Sequence, residues 1–119
     1  MGESRHGMMG KVAAVMGGFL AERCALPSQR AAWLAADLNG WHSPDSSLAE
    51  DLLHLHSEVS EACEALRKGD MEGVEEELAD VVLLALHVAE KNGFDLEQAV
   101  WDKHKKNIIR PHRHGEKKF

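Results

Sequence analysis

The chain has 119 residues, which is enough for one domain and too few for two ordinary ones. Its 44% hydrophobic and 29% charged residues are typical of a globular protein, and its longest apolar run, Val81–Leu86, is too short to span a membrane. The net charge is −6, but residues 101–119 hold seven Lys and Arg against two acidic residues (+5), which leaves −11 for residues 1–100. Such an acidic body argues against general nucleic-acid binding, which needs a broad basic face.

The two cysteines, Cys24 and Cys63, are too few for a disulfide framework. Cys63 lies among apolar neighbours in a predicted helix, and we interpret it as a small core residue. A chain that does not depend on disulfides is typical of a reducing compartment, so we expect a cytoplasmic protein.

The N-terminal third of the chain carries few structural signals. Residues 1–7 are expected to be disordered or introduced by cloning, and residues 8–24 can form a helix that three glycines weaken. The first well-bounded helix is predicted over residues 29–39, because Ser28 can cap its N-terminus and Gly40 can end it.

The centre of the chain predicts two long amphipathic helices. Ser47 and Glu50 form a capping-box pattern that opens a helix running to about residue 68, and a second helix follows over about residues 70–91. Because the connection is short, the two helices are expected to pack as an antiparallel hairpin. The inward side chains of the first recur as in a bundle seam (Leu48, Leu52, Leu55, Val59, Ala62, Leu66), and the second has its own set (Val74, Leu78, Val81, Ala85, Val88).

The C-terminal part of the chain predicts one more helix and a tail. Asp95 with Gln98 caps this helix, which extends to about Ile109 and is stopped by Pro111. Residues 111–119 are basic and are predicted to form an irregular tail. No strand-like alternation occurs, so the fold class is all-α, an antiparallel helical bundle in which residues 8–110 form a single domain.

Two pairs of acidic residues lie inside the hairpin helices, Glu58 with Glu61 and Glu77 with Asp80. The i,i+3 spacing places both carboxylates of a pair on one face of a helix. Both pairs are 8–11 residues from Gly69, so an antiparallel hairpin brings them to the same height. Four carboxylates at one level repel one another unless a cation joins them, and Mg²⁺ with a phosphate-bearing substrate meets this need. The alternative interpretation is a set of solvated surface charges.

The last predicted helix carries a complementary basic and amide face. Lys103 and Asn107 are four residues apart and share a face, with Lys106 and Arg110 alongside. This combination is suited to holding phosphate oxygens beside a metal ion. The alternative interpretation is a basic helix C-terminus that only complements the helix dipole.

Histidine and tryptophan residues give weaker signals. His56 adjoins the first acidic pair and is a candidate to support it, whereas His54 and His56 diverge on a helix and form a poor metal pair. Trp41, in a loop over residues 40–45, is a candidate for stacking on a nucleobase, as is Trp33. The alternative for both tryptophans is a place in the core.

Other chemistries lack their sequence signatures. The chain has no Gly-rich phosphate loop of the Walker type, no nucleophile elbow and no zinc-binding cysteine motif. The Glu-x-x-His pairs of di-iron bundles are also missing, since the nearest pattern is Asp51-x-x-His54 and neither acidic pair ends in His. A metal-storage or redox bundle is therefore disfavoured.

Three segments together resemble the MazG-like nucleoside triphosphate pyrophosphohydrolases. They are Leu55–Ala62 (LHSEVSEA), Glu77–Val82 (ELADVV) and Gly93–Ala99 (GFDLEQA), the last followed by Lys103, Asn107 and Arg110-Pro111. The resemblance covers about residues 37–119. It implies the all-α pyrophosphohydrolase bundle, assembled as a homodimer or homotetramer.

The resemblance also implies an activity and a site. The activity is Mg²⁺-dependent cleavage of a nucleoside triphosphate between its α- and β-phosphates, with Mn²⁺ as an alternative cofactor. Glu58 or Glu61 orients or deprotonates the attacking water, and Trp41 lies near the base. The implied metal ligands are Glu58, Glu61, Glu77 and Asp80, and the implied phosphate-binding residues are Lys103, Asn107 and Arg110.

Two functions from different classes follow from these patterns. One is a nucleotide pyrophosphohydrolase that cleans the nucleotide pool, and the other is a non-catalytic helical oligomerisation module. The four carboxylates at the same height in the bundle favour the enzyme, because an oligomerisation module has no need of them. The almost wholly apolar Val81–Leu86 stretch favours an oligomer over a monomer.

Overall fold

The computed structural model describes residues 26–41 and 43–110, which form four α-helices and no strand. The helices are α1 (Gln29–Asn39), α2 (Leu48–Arg67), α3 (Met71–Lys91) and α4 (Leu96–Ile108). The all-α prediction is therefore confirmed. The helix expected over residues 8–24, the N-terminal segment 1–7 and the tail 111–119 lie outside the described residues.

Local capping interactions determine where the helices begin and end. The Ser28 hydroxyl accepts the Ala31 N–H at 3.1 Å and caps α1. In the capping box of α2, the Ser47 hydroxyl accepts the Glu50 N–H at 3.2 Å, and the Ser47 N–H donates to the Glu50 carboxylate at 2.6 Å. Gly40 adopts the left-handed conformation, with φ 66°, that ends α1. The predicted boundaries of all four helices are therefore met to within about one residue.

The predicted hairpin is formed by α2 and α3, which share the most extensive interface among the described helices. Residues 68–70 connect them, and Gly69 supplies the positive φ of 73° that the turn requires. α1 packs on α3 beside this hairpin. The buried residues are nearly all small, which lets the helix backbones approach closely (Ala31, Ala32, Ala36, Ala62, Val88 and Ala89).

The predicted apolar seam is only partly covered within one chain. Leu52 and Leu66 of α2 are 54% and 57% exposed, and Leu78 of α3 is 55% exposed. Cys63 is exposed and its assignment to the core is wrong, because its neighbour Ala62 takes the buried position on that turn of α2. Among the described residues, no helix combines the length and the apolar character that crossing a membrane requires.

Side-chain contacts tie α1 to the connection between α3 and α4. Gln29 Nε2 donates to the Glu90 carboxylate at 3.0 Å and to the Phe94 carbonyl at 2.6 Å. The Gln29 side-chain carbonyl accepts the Leu96 N–H at 3.1 Å. Beyond this point α4 packs little against the other described helices and buries none of its residues. The start of α4 is thus fixed, whereas most of its length lies uncovered.

Candidate active site

The α2–α3 hairpin brings acidic residues from both helices to one place. One carboxylate oxygen from each of Glu58, Glu77 and Asp80 lies within 4.8 Å of the other two. Glu58 and Glu77 are half-buried, and Asp80 is exposed. They converge because residues equally far from the turn at 68–70 face each other in an antiparallel pair.

Glu61 lies beside this trio rather than in it. Its side chain is exposed, and its oxygens do not belong to the group of three. Its charge nevertheless reaches Glu77, where it helps to raise the pKa. The described structure therefore brings three of the four predicted carboxylates together and places the fourth next to them.

Glu77 is the member of the cluster that most needs a positive charge. Burial raises the pKa of its carboxyl above the usual 4.5, and the charges of Glu61, Asp80 and Glu58 raise the pKa further. Its Oε2 is buried and has no hydrogen-bond partner among the described residues. A buried, unpaired carboxylate oxygen is unfavourable, and a cation bound there would stabilise it. Because the donors are all oxygens, they fit a hard divalent ion such as Mg²⁺ or Mn²⁺.

A cavity of about 680 Å³ adjoins the acidic cluster. Its volume falls in the range of roughly 300–1,000 Å³ that is usual for small-molecule sites. Glu58 and Asp80 belong to both the cluster and the cavity wall. The aliphatic part of the remaining wall comes from α1 and α3 (Ala32, Ala35, Ala36, Leu83, Leu84 and Val88). Polar side chains also line the cavity (Ser43, Ser46, Glu50, Asp51, His54 and His87). A bound molecule would therefore meet carboxylates and an apolar surface in the same cavity.

Trp41 is placed at the cavity by the turn that ends α1. Its backbone N–H donates to the Ala36 carbonyl at 2.9 Å, while the residue as a whole stays 75% exposed. The indole therefore offers a flat apolar face to the cavity, which it lines. Trp33, the other candidate, does not line the cavity, and its ring meets His87 edge-on at a centroid distance of 5.0 Å.

The loop between α1 and α2 is held by a lysine from the end of α3. Lys91 Nζ donates to the Ser46 carbonyl at 2.8 Å, to the Ser46 hydroxyl at 2.5 Å and to the Asp51 carboxylate at 2.8 Å. Burial alone would raise the pKa of Asp51, but hydrogen bonds from Lys91 and Ser46 and the charges of Lys91 and His87 together lower the pKa. The sequence analysis missed this network, because its partners are 40 or more residues apart.

His54, rather than the predicted His56, contacts the acidic cluster. His54 Nε2 lies 3.1 Å from Glu58 Oε1, and both residues line the cavity. In the described part of the chain, no side-chain contact joins His56 to the cluster, and its backbone carbonyl accepts the Ser60 hydroxyl. The i,i+4 spacing between His54 and Glu58 was the available signal, since such pairs share a helix face.

The predicted phosphate-binding residues are not part of this site within one chain. Lys103, Asn107 and Arg110 are exposed and do not line the cavity. Arg110 Nη1 instead lies 3.5 Å from the side-chain carbonyl oxygen of Asn107. The expectation of a basic face opposite the carboxylates is thus not met within one chain, because α4 does not pack along the hairpin.

Comparison with known proteins finds one family. The model described as the MazG nucleotide pyrophosphohydrolase domain matches residues 47–114, which is more than half of the chain. The matched segment contains the hairpin and α4, whereas α1 and Trp41 precede it. No curated protein and no solved structure matches the chain.

Proposed function

The chain belongs to the MazG nucleotide pyrophosphohydrolase domain family, and we propose that it is a Mg²⁺-dependent nucleoside triphosphate pyrophosphohydrolase. Water would cleave the anhydride between the α- and β-phosphates of an NTP or dNTP, giving the monophosphate and pyrophosphate. The observation that carries the proposal is the buried, unpaired Glu77 oxygen in a carboxylate cluster beside a cavity of nucleotide size. The cluster needs a cation, and the cavity can hold the organic part of the substrate.

The carboxylates divide between holding the ion and activating water. Glu58, Glu77 and Asp80 would hold Mg²⁺ or Mn²⁺, with Glu61 as a fourth ligand or as the general base. When bound, the ion supplies positive charge that draws in the triphosphate and neutralises the departing pyrophosphate. Because Glu61 is exposed beside the trio, its carboxylate is better placed than that of Glu58 to take a proton from water.

The apolar cavity wall supports a place for the nucleobase. Trp41 would stack on the base, because its exposed indole lines the cavity. The small side chains of Ala32, Ala35 and Ala36 leave room for a ring between the indole and α1. Asp51, which also lines the cavity, would add a polar group beside this apolar part of the wall.

α4 presents an uncovered face that carries the proposed phosphate ligands. Leu96, Val100, Lys103 and Asn107 follow the spacing i, i+4, i+7 and i+11, so they share one side of the helix. A helix of 13 residues is marginal in water without packing, and Val100 is 58% exposed. A surface that covers this face must also be compatible with the positive charge of Lys103. The acidic cluster is compatible, because its charge is negative. A homodimer or homotetramer, with α4 of one copy beside the hairpin of another, meets both needs.

Pyrophosphate release from a panel of ribo- and deoxyribonucleoside triphosphates with Mg²⁺ tests the proposal. Glu61→Gln and Asp80→Asn should each lower the rate by about 100-fold or more, since they remove a proton acceptor and a metal ligand. Glu75→Gln, an exposed position on the same helix as Asp80, is the matched control and should keep the rate. If no nucleotide is cleaved, or if all three variants behave alike, the carboxylates are not a catalytic site and a helical oligomerisation module explains the chain better.

A further inference from the structure

An imidazole contacts the carboxylate cluster from the cavity side. His54 Nε2 lies 3.1 Å from Glu58 Oε1. The Glu58 side chain is 17% exposed, whereas that of His54 is 61% exposed. The histidine thus lies at the surface while its partner reaches into the site, and the contact joins the two.

We propose that His54 is a positioning residue, which fixes the Glu58 carboxylate for the divalent ion and thereby sets how tightly the site binds metal. The inference rests on the proposed function, because it takes Glu58 as a metal ligand. His54 acts through Glu58.

The two oxygens of a carboxylate explain how this works. His54 Nε2 lies 3.1 Å from one oxygen of Glu58. In the proposed role the imidazole donates to that oxygen and leaves the lone pairs of the other free for the ion. Without this donor, repulsion from Glu77 and Asp80, whose oxygens lie within 4.8 Å, would turn the Glu58 carboxylate away. Metal-ligating carboxylates are commonly held by such a hydrogen bond, and loss of the donor weakens metal affinity by about 10- to 100-fold.

The chain offers a matched control for this role. His56 is two residues farther along α2, is also exposed and makes no side-chain contact with the cluster in the described part of the chain. Substitutions of His54 and His56 therefore remove the same chemical group from the same helix. Only the first removes the 3.1 Å contact with Glu58.

The experiment titrates Mn²⁺, without nucleotide, into four full-length proteins and measures free Mn²⁺ by electron paramagnetic resonance. The proteins are the wild type, His54→Ala, His54→Gln and His56→Ala. His54→Ala should raise the Kd for Mn²⁺ by about 10-fold or more. His54→Gln should restore most of the affinity, because the glutamine amide can donate in place of Nε2. His56→Ala should bind like the wild type.

Turnover provides a second readout. His54→Ala should raise the Mg²⁺ concentration for half-maximal pyrophosphate release while kcat at saturating Mg²⁺ stays within about twofold, since the reacting groups are intact. Wild-type Mn²⁺ affinity in His54→Ala, no recovery in His54→Gln, or an equal loss in His56→Ala overturns the inference. If Mn²⁺ binding depends on His54 as stated but no triphosphate is cleaved, the inference stands and the proposed function fails.

Discussion

Replacement of Lys91 by Met should destabilise the protein and loosen the loop beside the cavity. The side chains of Lys91 and Asp51 are only 11% and 14% exposed, and the lysine donates three hydrogen bonds that Met cannot make. Loss of one partner from a fully buried ion pair costs about 3–5 kcal/mol, and the remaining exposure here reduces the expected loss to about 2–3 kcal/mol. For a domain of this size, the melting temperature should fall by about 10–15 °C.

Thermal and urea unfolding of matched variants measures this effect. Arg30→Met is the control, because Arg30 pairs with Glu90 at 3.4 Å but is 64% exposed, so its loss should stay below about 1 kcal/mol. The double variant Asp51→Asn/Lys91→Met should be more stable than Lys91→Met alone, since it leaves no unpaired buried charge. If Lys91→Met is no less stable than Arg30→Met, the Lys91 network does not hold the loop.

The pH dependence of the Lys91→Met effect follows from Asp51. Because the folded pKa of Asp51 is lowered, its contribution to stability is present above 3.8, the ordinary pKa, and is lost as the pH falls through the folded pKa. Without Lys91, burial is opposed by fewer interactions and the Asp51 pKa rises. The difference in melting temperature between the wild type and Lys91→Met should therefore be largest at pH 7 and become smaller below pH 4. A constant difference down to pH 3 would refute this assignment.

Three further predictions concern the cluster, the cavity and the assembly. Glu77→Gln should raise the melting temperature of the metal-free protein at pH 7 and abolish the increase in melting temperature with Mg²⁺. Because the folded pKa of Glu77 is raised, the stability that its carboxyl contributes is present below pH 4.5 and is lost at higher pH. The wild type and the variant should therefore melt at the same temperature in acid. Trp41→Ala should raise KM for the nucleotide with little change in kcat, as steady-state kinetics would show. Lys103→Ala and Asp80→Asn, each inactive alone, should recover about one quarter of the wild-type rate when equal amounts are unfolded and refolded together, because half of all dimers are then mixed and each mixed dimer carries one intact site of two. No recovery would mean that Lys103 serves its own chain.

The helix boundaries could be predicted because capping is local. Ser47 and Glu50 satisfy each other's backbone N–H groups across three residues, so their pattern is visible in the sequence. The carboxylate cluster could be predicted for a related reason, since a turn at Gly69 relates the two helices by a simple count. Neither inference needs knowledge of contacts between residues distant in the chain.

The features that sequence reasoning missed depend on side-chain positions or on distant contacts. Whether Glu58 or Glu61 joins Glu77 and Asp80 depends on the rotation of α2 within the hairpin, which the spacing of apolar residues fixes only approximately. The contact of His54 with Glu58 lies within α2 and depends on the positions of the two side chains. The exposure of Cys63 has the same origin, because adjacent residues on α2 differ by 100° in direction. The position of α4 could not be predicted for another reason. The sequence does not indicate what its apolar face packs against, and this face lacks a partner among the described helices.

The interhelical hydrogen bonds made by Lys91 and Gln29 lie away from the acidic cluster. Lys91 holds the loop before α2, and Gln29 joins α1 to Glu90 and Phe94, so these contacts meet at the C-terminal end of α3. Asp80 lies 11 residues before Lys91, about 16 Å along the helix. Without metal, the carboxylates of the cluster repel one another. This repulsion therefore acts on the N-terminal half of α3, which these hydrogen bonds do not reach. The same separation lets a bound ion stabilise the cluster locally while the cavity wall formed by α1 and the end of α3 stays in place.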